Sequence, residues 1–222
     1  MVRRTALFYQ TFDSSPLYGW SVSVTMSGLV LAGGSSRRMG TDKAQMVVRG
    51  ELLVSRAVRT LSEVCAEVVV ASGDGHRLDH LGLTQVADVM PDAGPLAGIA
   101  AGLAAARHPV VAVVAVDMPD IIAPLLRFLA GLWDGAWDGA GNGAWDGPAA
   151  LVPVVDGRWQ PLHAVYARSA APGIVSFLRG GGRSVRRALA ALGARPVEPD
   201  VWAAAVPDGR FAVNLNAPED LE

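Results

Sequence analysis

Gly28-Leu-Val-Leu-Ala-Gly-Gly-Ser-Ser-Arg-Arg-Met-Gly-Thr-Asp-Lys-Ala44 is the stretch around which the rest of the chain is ordered. Leu29-Val30-Leu31-Ala32 reads as a short buried strand that opens directly into Gly33-Gly34, two serines, two arginines, Gly40 and Lys43. Glycines let the backbone turn sharply and bring its N–H groups near a ligand without a Cβ in the way, and hydroxyls and cations add side-chain donors. Arg37, Arg38 and Lys43 fall within seven residues and would repel one another unless solvated or facing a polyanion, so phosphate is the expected ligand. The dinucleotide fingerprint Gly-x-Gly-x-x-Gly is absent, because Gly33 and Gly34 are adjacent and the next glycine is Gly40. The P-loop pattern fails as well, since no Gly-Lys-Ser/Thr follows at the required spacing. A solvated basic loop without a ligand is the competing reading; surface loops have little reason to pair glycines with cations at a strand's end.

The 222 residues suit one large domain that buries most of its apolar surface. Hydrophobic residues make up 51% of the chain, yet no run approaches the ~18 to 20 uninterrupted apolar residues of a membrane helix, so a soluble protein without a membrane partner is expected. A net charge of 19 minus 21, or −2, argues against a general grip on nucleic acid; the basic residues matter locally. Cys65 is the single cysteine, which excludes an internal disulfide and favours a reducing, cytoplasmic setting. It sits at the end of a helical pattern and reads as a packed structural thiol.

Residues 1–26 show no useful periodicity and no signal-peptide core, and are expected to be a disordered extension, with translation starting at Met26 as a hypothesis. Residues 27–222 are read as a single domain. Beyond the glycine-rich segment, Val47 to Glu51 looks like a short hairpin, and Leu53, Ala57, Leu61 and Val64 share one helical face. Glu67 to Ala71 is a second buried strand, ended by Ser72-Gly-Asp-Gly75, and Gln85 to Asp88 a third that finishes at a carboxylate. Asp92-Ala-Gly-Pro-Leu-Ala-Gly98 turns the chain into an Ala-rich helix through about residue 107. Val110 to Val116 is the most apolar segment and must be a central strand covered on both faces, ending at Asp117-Met-Pro-Asp120.

A helix over 123–133 precedes a Trp-Asp-Gly-Ala tract, residues 133–148, whose low complexity predicts an inserted loop with no periodicity to bury its tryptophans. Ala149 to Val155 and Arg158 to Tyr166 read as two strands joined through Asp156-Gly157, the second made irregular or placed at an edge by Pro161. Helices follow over 172–178 and 184–192. Arg183, Arg186 and Arg187 are either a solvated face or a second anion contact. A final strand over 211–216 leads into a helix start at Asn216.

Alternating strands and helices build a parallel sheet from right-handed crossovers, whose ligands lie at the carboxyl ends of the strands. The Gly33 loop, Asp88 and Asp117 all follow strand ends and fall on one rim. A triphosphate cradle with strand-end carboxylates invites Mg²⁺, which takes one or two carboxylates plus phosphate oxygens and water. Asp117 is best placed to hold it, while Asp88 could bind the metal through water or meet the nucleotide directly. The competing role, capping the next helix, falls more naturally to Asp120. His76 and His80 lack further ligands, so zinc is not expected. The chemistry rests on positioning and charge neutralisation, as in phosphoryl-type transfer.

Leu31-Ala-Gly-Gly-Ser-Ser-Arg-Arg-Met-Gly-Thr-Asp-Lys-Ala44 resembles the signature of molybdenum cofactor guanylyltransferases, the enzymes that make molybdopterin guanine dinucleotide. The resemblance extends through Gly94-Pro-Leu-Ala-Gly98, Asp117-Met-Pro119, Gln160-Pro-Leu-His-Ala-Val-Tyr166 and Asn214-Leu-Asn-Ala-Pro-Glu-Asp-Leu221. It implies an α/β, Rossmann-like three-layer sandwich of nucleotidyltransferase type with a mostly parallel sheet. It also implies transfer of GMP from GTP to the terminal phosphate of molybdopterin, with Mg²⁺ as cofactor and pyrophosphate leaving. GTP and molybdopterin are the implied partners, with molybdoenzymes or other cofactor-maturation proteins downstream.

Carried onto this sequence, Leu31, Ala32, Gly33 and Gly34 look like the GTP loop, and Arg38 and Lys43 would neutralise the triphosphate and pyrophosphate. Asp88 resembles a nucleotide contact and Asp117 the Mg²⁺ ligand. Gly94, Pro95, Gly98, Asn214 and Asn216 fall on the acceptor side, the two asparagines facing the pterin. One departure bears on base choice: relatives carry an Asn after the second strand where this chain has Ala71-Ser72. The rivals are the cytidylyltransferase of the same cofactor, which typically lacks the Asp42-Lys43 spacing, and a non-catalytic nucleotide-binding partner of molybdoenzymes.

Overall fold

The computed structural model describes residues 24–33, 42–118, 120–133, 147–203 and 206. Strand β1 (Met26–Leu31) is buried along its whole length. A hairpin of β2 (Val47–Val48) and β3 (Glu51–Leu52) follows, then helix α1 (Leu53–Ser62), which buries Leu53, Val54, Ala57 and Leu61 as one face. Next come β4 (Glu67–Gly73), β5 (Gln85–Ala87), α2 (Pro95–Ala105), β6 (Val110–Ala115) and α3 (Ala123–Gly131). Strands β7 (Ala150–Val155), β8 (Arg158–Trp159) and β9 (His163–Ala167) lead to α4 (Ala171–Arg179) and α5 (Val185–Ala191). A short β10 (Arg195–Val197) and α6 (Pro199–Trp202), neither legible in the sequence, come last.

The main sheet runs β10-β7-β9-β6-β1-β4-β5, with β8 paired to β7 alone. Strands β6, β1, β4 and β5 are mutually parallel, as are β10 and β7, while β9 is antiparallel to both its neighbours. The sheet is thus mostly parallel, and β6 lies at its centre. Side chains alternate across a strand. Val110, Ala112 and Val114 therefore join one core with Leu61 of α1 and Leu125 and Leu129 of α3. Val111 and Val113 join the other with Leu96 and Leu103 of α2 and Ile174 of α4. Coverage on both faces is why this strand is an unbroken apolar run. Gly102 sets how closely α2 approaches, since a Cβ there would lie 2.8 Å from Leu29 Cγ.

Several expectations need correction. Met26 belongs to the sheet and not to an extension: it is 2% exposed, pairs with Val110 and accepts a bond from the Ala66 N–H. The residues from Arg158 to Tyr166 do not form one irregular or edge strand. The Asp156-Gly157 turn forms as expected, with φ of 49° and 71°, but Pro161, lacking an N–H, falls in a break between β8 and β9. The chain then re-enters as an interior strand between β6 and β7. Asp120 does not cap α3, whose N-cap is Ile122 with no side-chain bond; it faces Arg49 and Arg56 at 3.8 and 3.9 Å. Trp133, counted with the low-complexity tract, is 2% exposed and packs into the first core just past α3.

The rest of that tract, 134–146, lies outside the described residues, as do 1–23 and 207–222 with Asn214 and Asn216. Among the described residues no helix is long and apolar enough to cross a membrane. Burial pushes the Cys65 thiol up to about 12, which keeps it protonated and unreactive.

Candidate active site

Four parallel strands deliver their ends to one edge. The Leu31 carbonyl accepts from the Val116 N–H at 3.0 Å, the Ala32 N–H donates to the Ala71 carbonyl at 2.9 Å, and the Asp88 N–H donates to the Gly73 carbonyl at 2.9 Å. Gly33, Asp88 and Asp117 thus follow β1, β5 and β6, with Gly73 ending β4 among them, and the first three converge as expected from their order. Leu31 and Ala32 are 7% and 3% exposed, their side chains committed to the two cores. Their backbone is engaged as well, the Leu31 carbonyl by Val116 and the Ala32 N–H by Ala71. Gly33 is exposed and packs onto Gly73, where a Cβ would lie 3.2 Å from the Gly73 nitrogen, a close approach of two adjacent strand ends that the absence of a side chain eases.

Asp42 opens a three-residue 3₁₀ turn, Lys43–Gln45. Its Oδ1 accepts from the Ala44 N–H and its Oδ2 from Gln45 Nε2, both at 3.0 Å. This capped turn aims Lys43 at the end of β6, where Nζ donates to Asp117 Oδ2 at 3.2 Å. Both side chains are about a quarter exposed, so the pair is open to incoming charge. Gly34 and Arg38 lie outside the described residues.

Helix α2 shapes the other flank. Gly94, with φ 77° and ψ −168°, occupies a region essentially restricted to glycine, and Pro95 begins the helix with a preset φ. Gly98 is buried beneath Asp88: a Cβ would stand 3.1 Å from Asp88 Oδ1 and 3.2 Å from Ala71 Cβ. Of the three residues expected on the acceptor side, Gly98 adjoins Asp88 and sets how near the helix approaches it, while Gly94 and Pro95 shape the start of the helix.

Burial pushes the Asp88 carboxyl up to about 6, against the opposing charge of Arg77, and its Oδ1 has no hydrogen-bond partner among the described residues. The folded chain then binds more protons here than the unfolded one between the ordinary value of 3.8 and about 6. This contribution to stability is complete at low pH and lost as pH rises through about 6. Asp88→Asn, which removes a poorly solvated charge, is expected to melt higher than wild type at pH 7.5, with the gap closing by pH 4. Melts of both proteins across that range check this; a gap independent of pH contradicts it.

Sequence reasoning missed Arg77. Its Nη1 donates to Asp42 Oδ2 at 2.8 Å and its Nη2 to the Ala32 carbonyl. The loop that holds it is built locally: Asp74 Oδ1 accepts from the N–H groups of His76 and Arg77 at 3.0 and 2.9 Å, and Ser72 Oγ from that of Gly75 at 3.1 Å. The only legible signal was Ser72-Gly-Asp-Gly75 as a strand stop. His76 and His80 are exposed. Arg183 donates to the carbonyls of Leu178 and Gly182 at 3.0 and 2.8 Å, closing α4, while Arg186 and Arg187 are exposed; the described contacts favour the solvated-face reading.

Residues 28–195 match the model of the MobA-like NTP transferase domain. The chain belongs to this MobA-like family. Among its relatives, a probable molybdenum cofactor guanylyltransferase from Chloroflexus aggregans is 37% identical over 204 residues, covering 90% of this chain and 94% of the relative. One from Opitutus terrae is 40% identical over 201 residues, covering 89% and 93%. The crystal structure of molybdopterin-guanine dinucleotide biosynthesis protein A from Archaeoglobus fulgidus superposes with a TM-score of 0.73 at 26% identity, covering 88% and 94%. That of 2-C-methyl-D-erythritol 4-phosphate cytidylyltransferase from Thermus thermophilus does so at 0.57 and 20% identity, covering 87% and 94%, a likeness of fold alone. The MobA-like match spans Gly33, Lys43, Asp88 and Asp117 and stops short of Asn214 and Asn216.

Proposed function

We propose that the protein transfers GMP from GTP to the terminal phosphate of molybdenum-molybdopterin, forming molybdopterin guanine dinucleotide and pyrophosphate. The observation that carries this reading is the approach of Lys43 Nζ to Asp117 Oδ2, 3.2 Å apart and 74 residues distant in sequence, at the carboxyl ends of parallel strands. An acceptor phosphate oxygen attacks the α-phosphorus, a new P–O bond forms as the bond to the bridging oxygen breaks, and pyrophosphate leaves with the electron pair. Lys43 and Arg38 balance the charge that accumulates on the departing phosphates.

One or two strand-end carboxylates suit a divalent ion that arrives with its nucleotide, and among the described residues no group of three His, Cys, Asp or Glu forms a resident metal cage. Asp117 would hold Mg²⁺, which when bound neutralises phosphate charge. Asp88, with a buried acceptor oxygen at the rim, meets the nucleotide. A carboxylate accepts from the N–H donors of a guanine edge, which supports GTP despite Ala71. Asn214 and Asn216 are assigned to the pterin, the activity to the cytoplasm, and the product to molybdoenzymes.

Incubation with Mg²⁺, molybdopterin and each nucleoside triphosphate, followed by dinucleotide and pyrophosphate analysis, tests the reading. GTP is the expected donor. Preference for CTP would overturn the base assignment, and nucleotide uptake without any dinucleotide would favour a non-catalytic partner.

A further inference from the structure

Arg77 joins two points that the chain itself connects only through the glycine-rich segment. It lies 45 residues from Ala32, at the end of β1, and 35 from Asp42, at the start of the turn that carries Lys43. One guanidinium bonds the carbonyl of the first and the carboxylate of the second. Both members of the Arg77–Asp42 ion pair are 23% exposed. A guanidinium is planar and presents its donors in a fixed fork, so the position of Asp42 relative to β1 is set by the shape of one side chain. Asp42 in turn caps the 3₁₀ turn, and Lys43 follows it directly. Rigid bonds thus run from β1 through Arg77 and Asp42 to Lys43, and across to Asp117 on β6.

We propose that Arg77 is a positioning residue for triphosphate recognition: by fixing Asp42 to the end of β1, it holds Lys43 where β- and γ-phosphates must lie. This rests on the reading of Lys43 as a phosphate ligand. Arg77 touches no reacting atom. Lysine does not replace it, because a compact ammonium does not hold a carbonyl and a carboxylate in one plane. Asp42→Asn separates positioning from bulk electrostatics. Asparagine caps a helical turn as well as aspartate does but gives up the charged partner of Arg77. Because it removes a negative charge beside the cleft, charge alone predicts tighter phosphate binding. Lost positioning predicts the opposite.

The test is calorimetric titration of the full chain, in Mg²⁺, with tripolyphosphate, GTP, CTP and guanosine, using wild type, Arg77→Met, Arg77→Lys, Asp42→Asn and the Met/Asn double variant, with thermal melts alongside. Tripolyphosphate and nucleotide affinities are expected to fall about ten-fold in each single variant, the scale of one charge-assisted bond. The double variant should fall no further, and guanosine affinity should stay unchanged. Asp42→Asn binding tripolyphosphate as tightly as wild type, or losses shared equally by guanosine, would overturn the proposal. If Arg77→Met does not fold, Asp42→Asn still decides. Should CTP be the preferred nucleotide, the guanine assignment falls while the same losses, measured with CTP, still judge Arg77. Wild type that takes up no tripolyphosphate overturns the roles of Lys43 and Arg77 together.

Discussion

Lys43→Met is expected to lower kcat/KM for nucleotidyl transfer by ~10²- to 10³-fold, on the order of 3–4 kcal/mol of transition-state stabilisation. Lys43 contributes little to folding. A part-exposed ion pair of the Lys43–Asp117 kind is worth only about 0–1 kcal/mol to folding, so the melting temperature should move by a few degrees at most. The value of the ammonium lies in the charge it presents as pyrophosphate departs, a moment at which the α,β-bridging oxygen gains negative charge. Methionine keeps most of the apolar stem of the side chain and removes the ammonium with its charge and donors. Pyrophosphate release under single-turnover conditions, with a melt of the same preparation, checks both halves. A variant turning over at the wild-type rate would remove Lys43 from the mechanism.

Asp117→Asn should be as damaging to turnover and opposite in its effect on binding without metal. The substitution removes the carboxylate assigned to Mg²⁺, for which a loss of ~10²- to 10³-fold in kcat is expected on the scale of other lost charge-stabilising groups. It also removes the anion that faces Lys43 at 3.2 Å. In chelator, where the wild-type carboxylate only repels phosphate and occupies Lys43, the variant should bind nucleotide several-fold more tightly, because an exposed charge contact is worth up to about 1 kcal/mol. Added Mg²⁺ should improve wild-type binding and leave the variant unchanged. Equal binding of the two proteins in chelator would show that Asp117 does not face the phosphates.

These expectations could be framed early because some residues speak locally. The unbroken apolar run of β6, the Asp156-Gly157 turn and the glycine pair after β1 each follow from their own chemistry. So does the rim, since parallel strands dictate where their ends meet. What stayed hidden depended on partners distant in sequence. Pro161 marked an irregularity, but whether the strand beyond it lay at an edge depended on β7 pairing with its far side, which leaves β9 between β6 and β7. Trp133 reads as tract by composition and as core only once α3 points it inward. Three residues containing a proline, as in β10, carry no pattern to detect. Arg77 sits in an aperiodic loop and gains meaning only through Ala32 and Asp42. Asp120, adjacent to a helix, was claimed by two arginines instead of the cap.

The reversal at β9 divides the sheet by sequence as well as by direction. Every strand on the nucleotide side of it, β6, β1, β4 and β5, comes from one continuous span ending at residue 115, while β7, β9 and β10 come entirely from the chain after 149. The two halves of the sheet are therefore contiguous blocks of chain joined along a single antiparallel seam, β6 against β9, so the ladder between these two strands is all that makes one continuous sheet of them.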